Sequence, residues 1–204
     1  MEKNIILSPM ELEYFATGRH KLEGVTAQII EMKECGFLNI NEDKLIFLRY
    51  PKDEEPYIRI LFNGLFYHTE EVSLNDLPLI TAFAVQESIR YLEFAAYHQY
   101  ADKEFTKSIH EYGKVLEKVV PVNFKNIYAL GKGKAYAKSH DIDTGEYDKV
   151  FKALESVLTP ILTPVGRRTT LGFGRSLTDR GPTTSREDVV NIQNIDWNYL
   201  LTRE

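Results

Sequence analysis

Five arginines, Arg167, Arg168, Arg175, Arg180 and Arg186, fall within twenty residues, and only Asp179 opposes them. Five cations against one anion give that stretch a charge of +4, in a chain of formal net charge -5. A guanidinium is a planar fork of donors that fits phosphate and carboxylate alike. Gly166, Gly172, Gly174 and Gly181 keep the backbone pliable, and Phe173 adds an apolar anchor or stacking face. The chemistry indicated is attachment, to nucleic acid or to an acidic partner; the plain alternative is a solvated tail. Beyond it the chain turns apolar again, with Val189, Val190, Ile192, Ile195, Trp197, Tyr199 and Leu200. Rings in that number need burial, either on the chain's own domain or in a neighbouring subunit. The expected partner-binding residues are therefore Arg167, Arg168, Phe173, Arg175, Arg180, Arg186, Trp197 and Tyr199.

Spacings that would support catalysis or metal binding are poor. The histidines, His20, His68, His98, His110 and His140, include no pair four residues apart. His140-Asp141-Ile142-Asp143 offers oxygen and nitrogen ligands, but as a calcium loop it fails. Gly145 stands at the fifth position instead of the sixth, and Lys152 occupies the place of the bidentate acid. Gly131-Lys132-Gly133-Lys134 lacks the spacing of a phosphate-binding loop, and Gly172-Phe173-Gly174 lacks a strand-to-helix setting. Cys35 is the only cysteine, which excludes an internal disulfide framework and a multi-thiolate metal site. As a nucleophile it would need His20 as its base, yet a helix C-terminus disfavours a thiolate. Cys35 reads instead as a small buried hydrophobe. No enzymatic activity, metal or cofactor is expected.

These residues sit in a chain of 204, of which 43% are hydrophobic and 27% charged, enough to bury a real core. The acidic balance argues against a protein that coats nucleic acid over its whole surface. Acidic Glu2, Glu11 and Glu13 near the N-terminus, with no long apolar stretch, argue against a signal peptide. The most apolar segment, Leu77 to Ala96, is interrupted by Gln86, Glu87, Arg90 and Glu93, so it reads as a helix with a wet side. A cytoplasmic, reducing location is the expectation.

The order of elements follows from caps and periodicity. Ser8-Pro9-Met10-Glu11 predicts a helix start, and the helix runs to about Thr17. A second helix spans Leu22 to Cys35 and stops at Gly36. Phe37 to Ile40 and Lys44 to Tyr50 read as a hairpin around Asn41-Glu42-Asp43. Pro51 to Pro56 reads as a linker. Helices follow over Tyr57 to Tyr67, from a cap at Ser73 to Asp76 as far as Tyr100, from Asp102 to Pro121, and from about Tyr147 to Pro160. Val122 to Leu130 is a possible strand, and Thr159 to Glu204 reads as an extended tail.

Leu7-Ser8-Pro9-Met10-Glu11-Leu12-Glu13-Tyr14-Phe15, the helix from Val25 to Gly36 with its short strand, and Lys44-Leu45-Ile46-Phe47 make a minimal helix, helix, hairpin order. That spelling resembles the winged-helix-like repeat in the cytoplasmic part of certain uncharacterised bacterial membrane proteins. Glu55-Pro56-Tyr57 through Leu65-Phe66, with Val72 to Leu77, looks like the second copy in such proteins, so the resemblance covers about half the chain. It implies a winged-helix fold and carries over no catalytic residues. The membrane spans of those proteins have no counterpart here. Winged helices serve nucleic-acid binding and protein contact alike. A recognition helix at Leu22 to Cys35 would offer Lys21, Gln28 and Lys33, but Glu23, Glu31 and Glu34 oppose them.

The expectation is an α+β, mainly helical protein with a winged-helix-like unit at 1–50, a helical domain at 57–158 and an extended basic and aromatic arm at 159–204. Its expected function is that of a non-enzymatic protein-interaction or assembly module docking through the arm, with a nucleic-acid-binding winged-helix regulator as the alternative.

Overall fold

In the computed structural model, residues 7–17, 20–100, 138–139, 141, 143–162 and 195–203 are described. The fold is α+β and mainly helical, and two helices precede a small antiparallel sheet. Helix α1, Pro9–Thr17, opens on a reciprocal cap. Ser8 Oγ accepts from the Glu11 amide at 3.2 Å, and Glu11 Oε2 accepts from the Ser8 amide at 2.9 Å. Ser8 Oγ also lies 2.8 Å from the Tyr57 hydroxyl, which ties this helix start to the third helix.

Helix α2, Leu22–Glu34, has no side-chain cap of its own at Lys21. Buried Glu13 of α1 supplies it, with Oε2 accepting from the Lys21 amide at 2.7 Å and a further bond from the Gly24 amide. A Cβ at Gly24 would fall 2.3 Å from that oxygen, so glycine is what lets the carboxyl in. At the other end Gly36 adopts φ +73, and the Phe37 amide reaches back to the Met32 carbonyl at 2.9 Å. That left-handed stop is the one the glycine predicts.

Strands β1, Leu38–Asn41, and β2, Lys44–Phe47, pair antiparallel, with Leu38 opposite Phe47 and Ile40 opposite Leu45. A third strand, β3, Glu71–Ser73, adds to β2 with Val72 opposite Leu45. Ser73 thus ends a strand, and the helix expected from it begins instead at Leu79, after Pro78. Helix α3 is Pro56–Leu65, with proline at its first position, and α4 is Leu79–Tyr100. Helix α5, Gly145–Leu162, continues past Pro160, where a stop was expected. A proline so near the end forgoes only one backbone bond, to the carbonyl four residues back. The final segment holds a short helix, α6, Trp197–Thr202, in place of an extended chain. The expected helix from Asp102, the possible strand at Val122 to Leu130 and the arginine-rich stretch lie outside the described residues.

One buried cluster takes side chains from α1 through α5, including Met10, Ile29, Leu38, Leu61 and Leu154. The Pro51–Pro56 stretch is a turn held by Lys52 N to Tyr50 O and Glu54 N to Pro51 O, and apolar residues on both sides of it enter that cluster. Helices α3 and α4 cross closely, since the Thr81 and Ser88 hydroxyls of α4 donate to the Gly64 and Tyr57 carbonyls of α3 at 3.0 and 2.7 Å. Helix α5 covers α2, where the Tyr147 hydroxyl donates to the Glu23 carbonyl and Lys33 pairs with Glu146. Among the described residues no helix is long and apolar enough to cross a membrane.

Candidate docking site at the C-terminal helix

The outer face of α3 and the start of α4 leave a second, smaller buried cluster of Ile60, Ile80 and Ala84, and Leu200 of α6 completes it. A leucine alone would give burial without direction. Direction comes from Asn63, a polar residue in the apolar run Ile60 to Phe66, whose Nδ2 donates to the Leu200 carbonyl at 2.9 Å. Two further bonds fix the ends. The Asp196 amide donates to the Tyr67 hydroxyl at 2.6 Å, and the Tyr199 hydroxyl donates to the Phe66 carbonyl at 3.3 Å. Asp196 Oδ1 in turn accepts from the Tyr199 amide at 3.0 Å, which caps a helix of six residues.

Rings complete the seat. Tyr199 meets Tyr67 edge-on at 5.4 Å and lies against the His68 imidazole at 4.1 Å. His68 holds φ at 52, in the left-handed region that few non-glycine residues adopt, and its ring reaches Tyr199 from there. The Arg203 guanidinium sits 4.6 Å from the Phe47 ring centre, 5.2 Å from Tyr50, 5.6 Å from Tyr199 and 5.9 Å from Phe62. Rings from β2, the following turn, α3 and α6 thus surround one cation, and each good cation–π contact contributes about 0.5–2 kcal/mol. An Asn63→Ala change leaves the Leu200 carbonyl unpaired, an expected cost of about 1–3 kcal/mol. Hydrogen exchange should then show the amides of 197–202 losing protection while those of α2 keep theirs. Equal loss in both helices would deny Asn63 a local role.

Of the residues the sequence points to, Tyr199 is packed in this seat and Trp197, on the same helix, is 40% exposed. The last turn therefore packs on its own chain. Arg167, Arg168, Phe173, Arg175, Arg180 and Arg186 lie outside the described residues. Sequence reasoning passed over Asn63, Tyr67, His68 and Arg203. Asn63 carries a readable signal, a polar residue inside an apolar helix; Arg203 carries none.

The remaining chemistry is also placed. Cys35 is exposed at the C-terminal end of α2, which corrects the reading of a buried hydrophobe; the chain turns outward there at Gly36. His20 is buried just before the other end of that 13-residue helix, so the two are about 20 Å apart and cannot act together. His20 stacks on Tyr14 at 4.6 Å, and Nε2 is 3.6 Å from Glu93 Oε1. Burial pushes the imidazole pKa down to about 4, so near neutrality this is no ion pair. Among the described residues no three or more His, Cys, Asp or Glu gather as a metal site. Of the contacts a recognition helix here would offer, Gln28 is buried and Lys33 is paired to Glu146 of α5, while Glu31 and Glu34 keep some exposure. Comparison with protein-family models, curated proteins and solved structures finds no match.

Proposed function

We propose that this protein is a non-enzymatic assembly module that docks on protein through its C-terminal arm. The observation carrying this reading is the seat on α3 and α4, a receptor for a short helix with its own hydrogen-bond key at Asn63 and its own cation cage. Between Leu162 and Ile195 lie 32 residues, a length of chain that would span at most about 110 Å if fully extended. A seat and an occupant separated by that length of chain allow exchange, in which α6 of one copy fills the seat of the next by the same contacts. The proposed unit resembles a winged helix and is used for protein contact. The nucleic-acid alternative would use the winged-helix-like unit, the arginines of the arm, or both.

Light scattering on the full chain across concentration tests the reading. The full chain is expected to associate as concentration rises. A Leu200→Asp chain and a chain cut after Pro164 are expected to stay monomeric. Monomers throughout, with no partner lost on truncation in a pull-down, would remove the proposal.

A further inference from the structure

A second concavity lies on another side of the molecule, between the start of α1, one face of α2 and the start of α3. It is a half-open groove of about 330 Å³, at the small end of the range for ligand sites. Gln28, Glu31, Met32 and Cys35 line it at helical spacing, and Glu11 and the Glu54-Glu55 pair face them from α1 and the turn before α3. Four carboxylates thus line one groove, and none of its described lining residues is basic.

Acidic residues alone would be an ordinary solvated surface. Gln28 makes the difference. It is 2% exposed, lines the groove, and among the described residues its Oε1 has no hydrogen-bond partner. A buried amide oxygen left unpaired costs about 1–3 kcal/mol, so it is an acceptor waiting for a donor. Met32 and Ile58 add apolar wall beside it, suited to an aliphatic stem. Burial raises the Glu11 pKa, and a cation beside it would reverse that cost. The requirement is a donor-rich cation on an apolar stem that reaches a neutral oxygen and carboxylates together. A guanidinium meets it with five fixed donors and no acceptor; an ammonium is a point charge without the fork.

We infer that this groove is the seat for an arginine of the stretch Arg167 to Arg186, its guanidinium donating to Gln28 Oε1 and to the carboxylates of Glu54 and Glu55. The inference rests on the assembly reading, with this stretch as the occupant because it is rich in arginine and its net charge is opposite in sign to the acidic lining of the groove.

The test uses the full chain with its own five arm arginines changed to glutamine, so that no tethered copy competes. A labelled synthetic peptide of residues 165–187 is titrated into it at low salt and followed by anisotropy. Saturable binding is expected. Adding Glu54→Gln with Glu55→Gln should weaken it about tenfold. Gln28→Met should weaken it about as much, and a peptide with lysine for each arginine should bind several-fold less well. Thermal midpoints are measured on each variant; Glu54 and Glu55 lie in the exposed turn, so their change checks the groove even if Gln28→Met unfolds. Absent binding, or affinities within twofold across groove variants, would overturn the inference. Light scattering separates the two ideas. A chain that associates through Leu200 but ignores the peptide keeps the assembly reading and loses the groove, and a monomeric chain that binds the peptide in the groove does the reverse.

Discussion

A Gly64→Ala chain is expected to be less stable by about 2–3 kcal/mol, although alanine is the better helix former by ~1 kcal/mol. The sign is the point. Gly64 lies inside α3, where propensity alone favours any side chain. A Cβ there would stand 1.9 Å from the Ala84 Cβ and 3.4 Å from its Cα. Neither atom is the end of a flexible chain, so α3 and α4 must part. Parting lengthens the Thr81 to Gly64 bond, and Asn63, the next residue, moves off the Leu200 carbonyl. Urea midpoints with an unchanged m-value measure the loss. An Ala84→Gly partner should restore part of it, with a coupling of ~1 kcal/mol or more. A stabilised Gly64→Ala chain would mean that α3 and α4 cross loosely enough to admit a methyl group.

Stability should also follow a flat-topped pH profile set by two groups that burial keeps neutral, one by holding its proton and one by losing it. Burial raises the Glu13 pKa to about 8, against the amides that lower it, and lowers that of His20 to about 4. The unfolded chain ionises Glu13 above its model value of 4.5, while the folded chain keeps its proton until about 8. Folding therefore takes up a proton, and stability falls as pH rises from 4.5 to 8. His20 works the other way. Unfolded, it binds a proton below 6.5; folded, it resists until about 4, so stability falls as pH drops through that window. Between 4.5 and 6.5 the two slopes offset each other. Above 6.5 only the Glu13 slope remains, at most ~1.4 kcal/mol per pH unit. Glu13→Gln keeps an acceptor for the Lys21 amide and should flatten the alkaline limb, while the His20 slope, no longer offset, extends the acid limb up to about 6.5. An unaltered alkaline limb in that variant would assign the decline to another group.

Local signals were legible where one stretch of chain satisfies itself. Ser8 and Glu11 close their own cap, and Gly36 is its own helix stop, so both boundaries can be read without the fold. Strand β3 was not legible, because Glu71–Ser73 is too short to show alternation and exists through its pairing with Leu45. The same holds for α6, a six-residue helix too short to stand alone and held by Asn63, Tyr67 and His68. Arg203 was invisible for the same physical reason, since its cage needs rings from four separate parts of the chain. Cys35 was misread because its position at the helix end, not its residue type, decides its exposure. The charge reversal over Arg167 to Arg186 is a fact of sequence, and the groove lined by Gln28 was not legible at all.

Trp197 is the chain's sole indole, and it rides half-exposed on the six-residue helix α6. Tryptophan emission is therefore an optical gauge of one joint, not of the whole molecule. Detachment of the terminal turn should shift the spectrum while far-ultraviolet circular dichroism stays nearly constant, and anisotropy decay of the same ring would time its return.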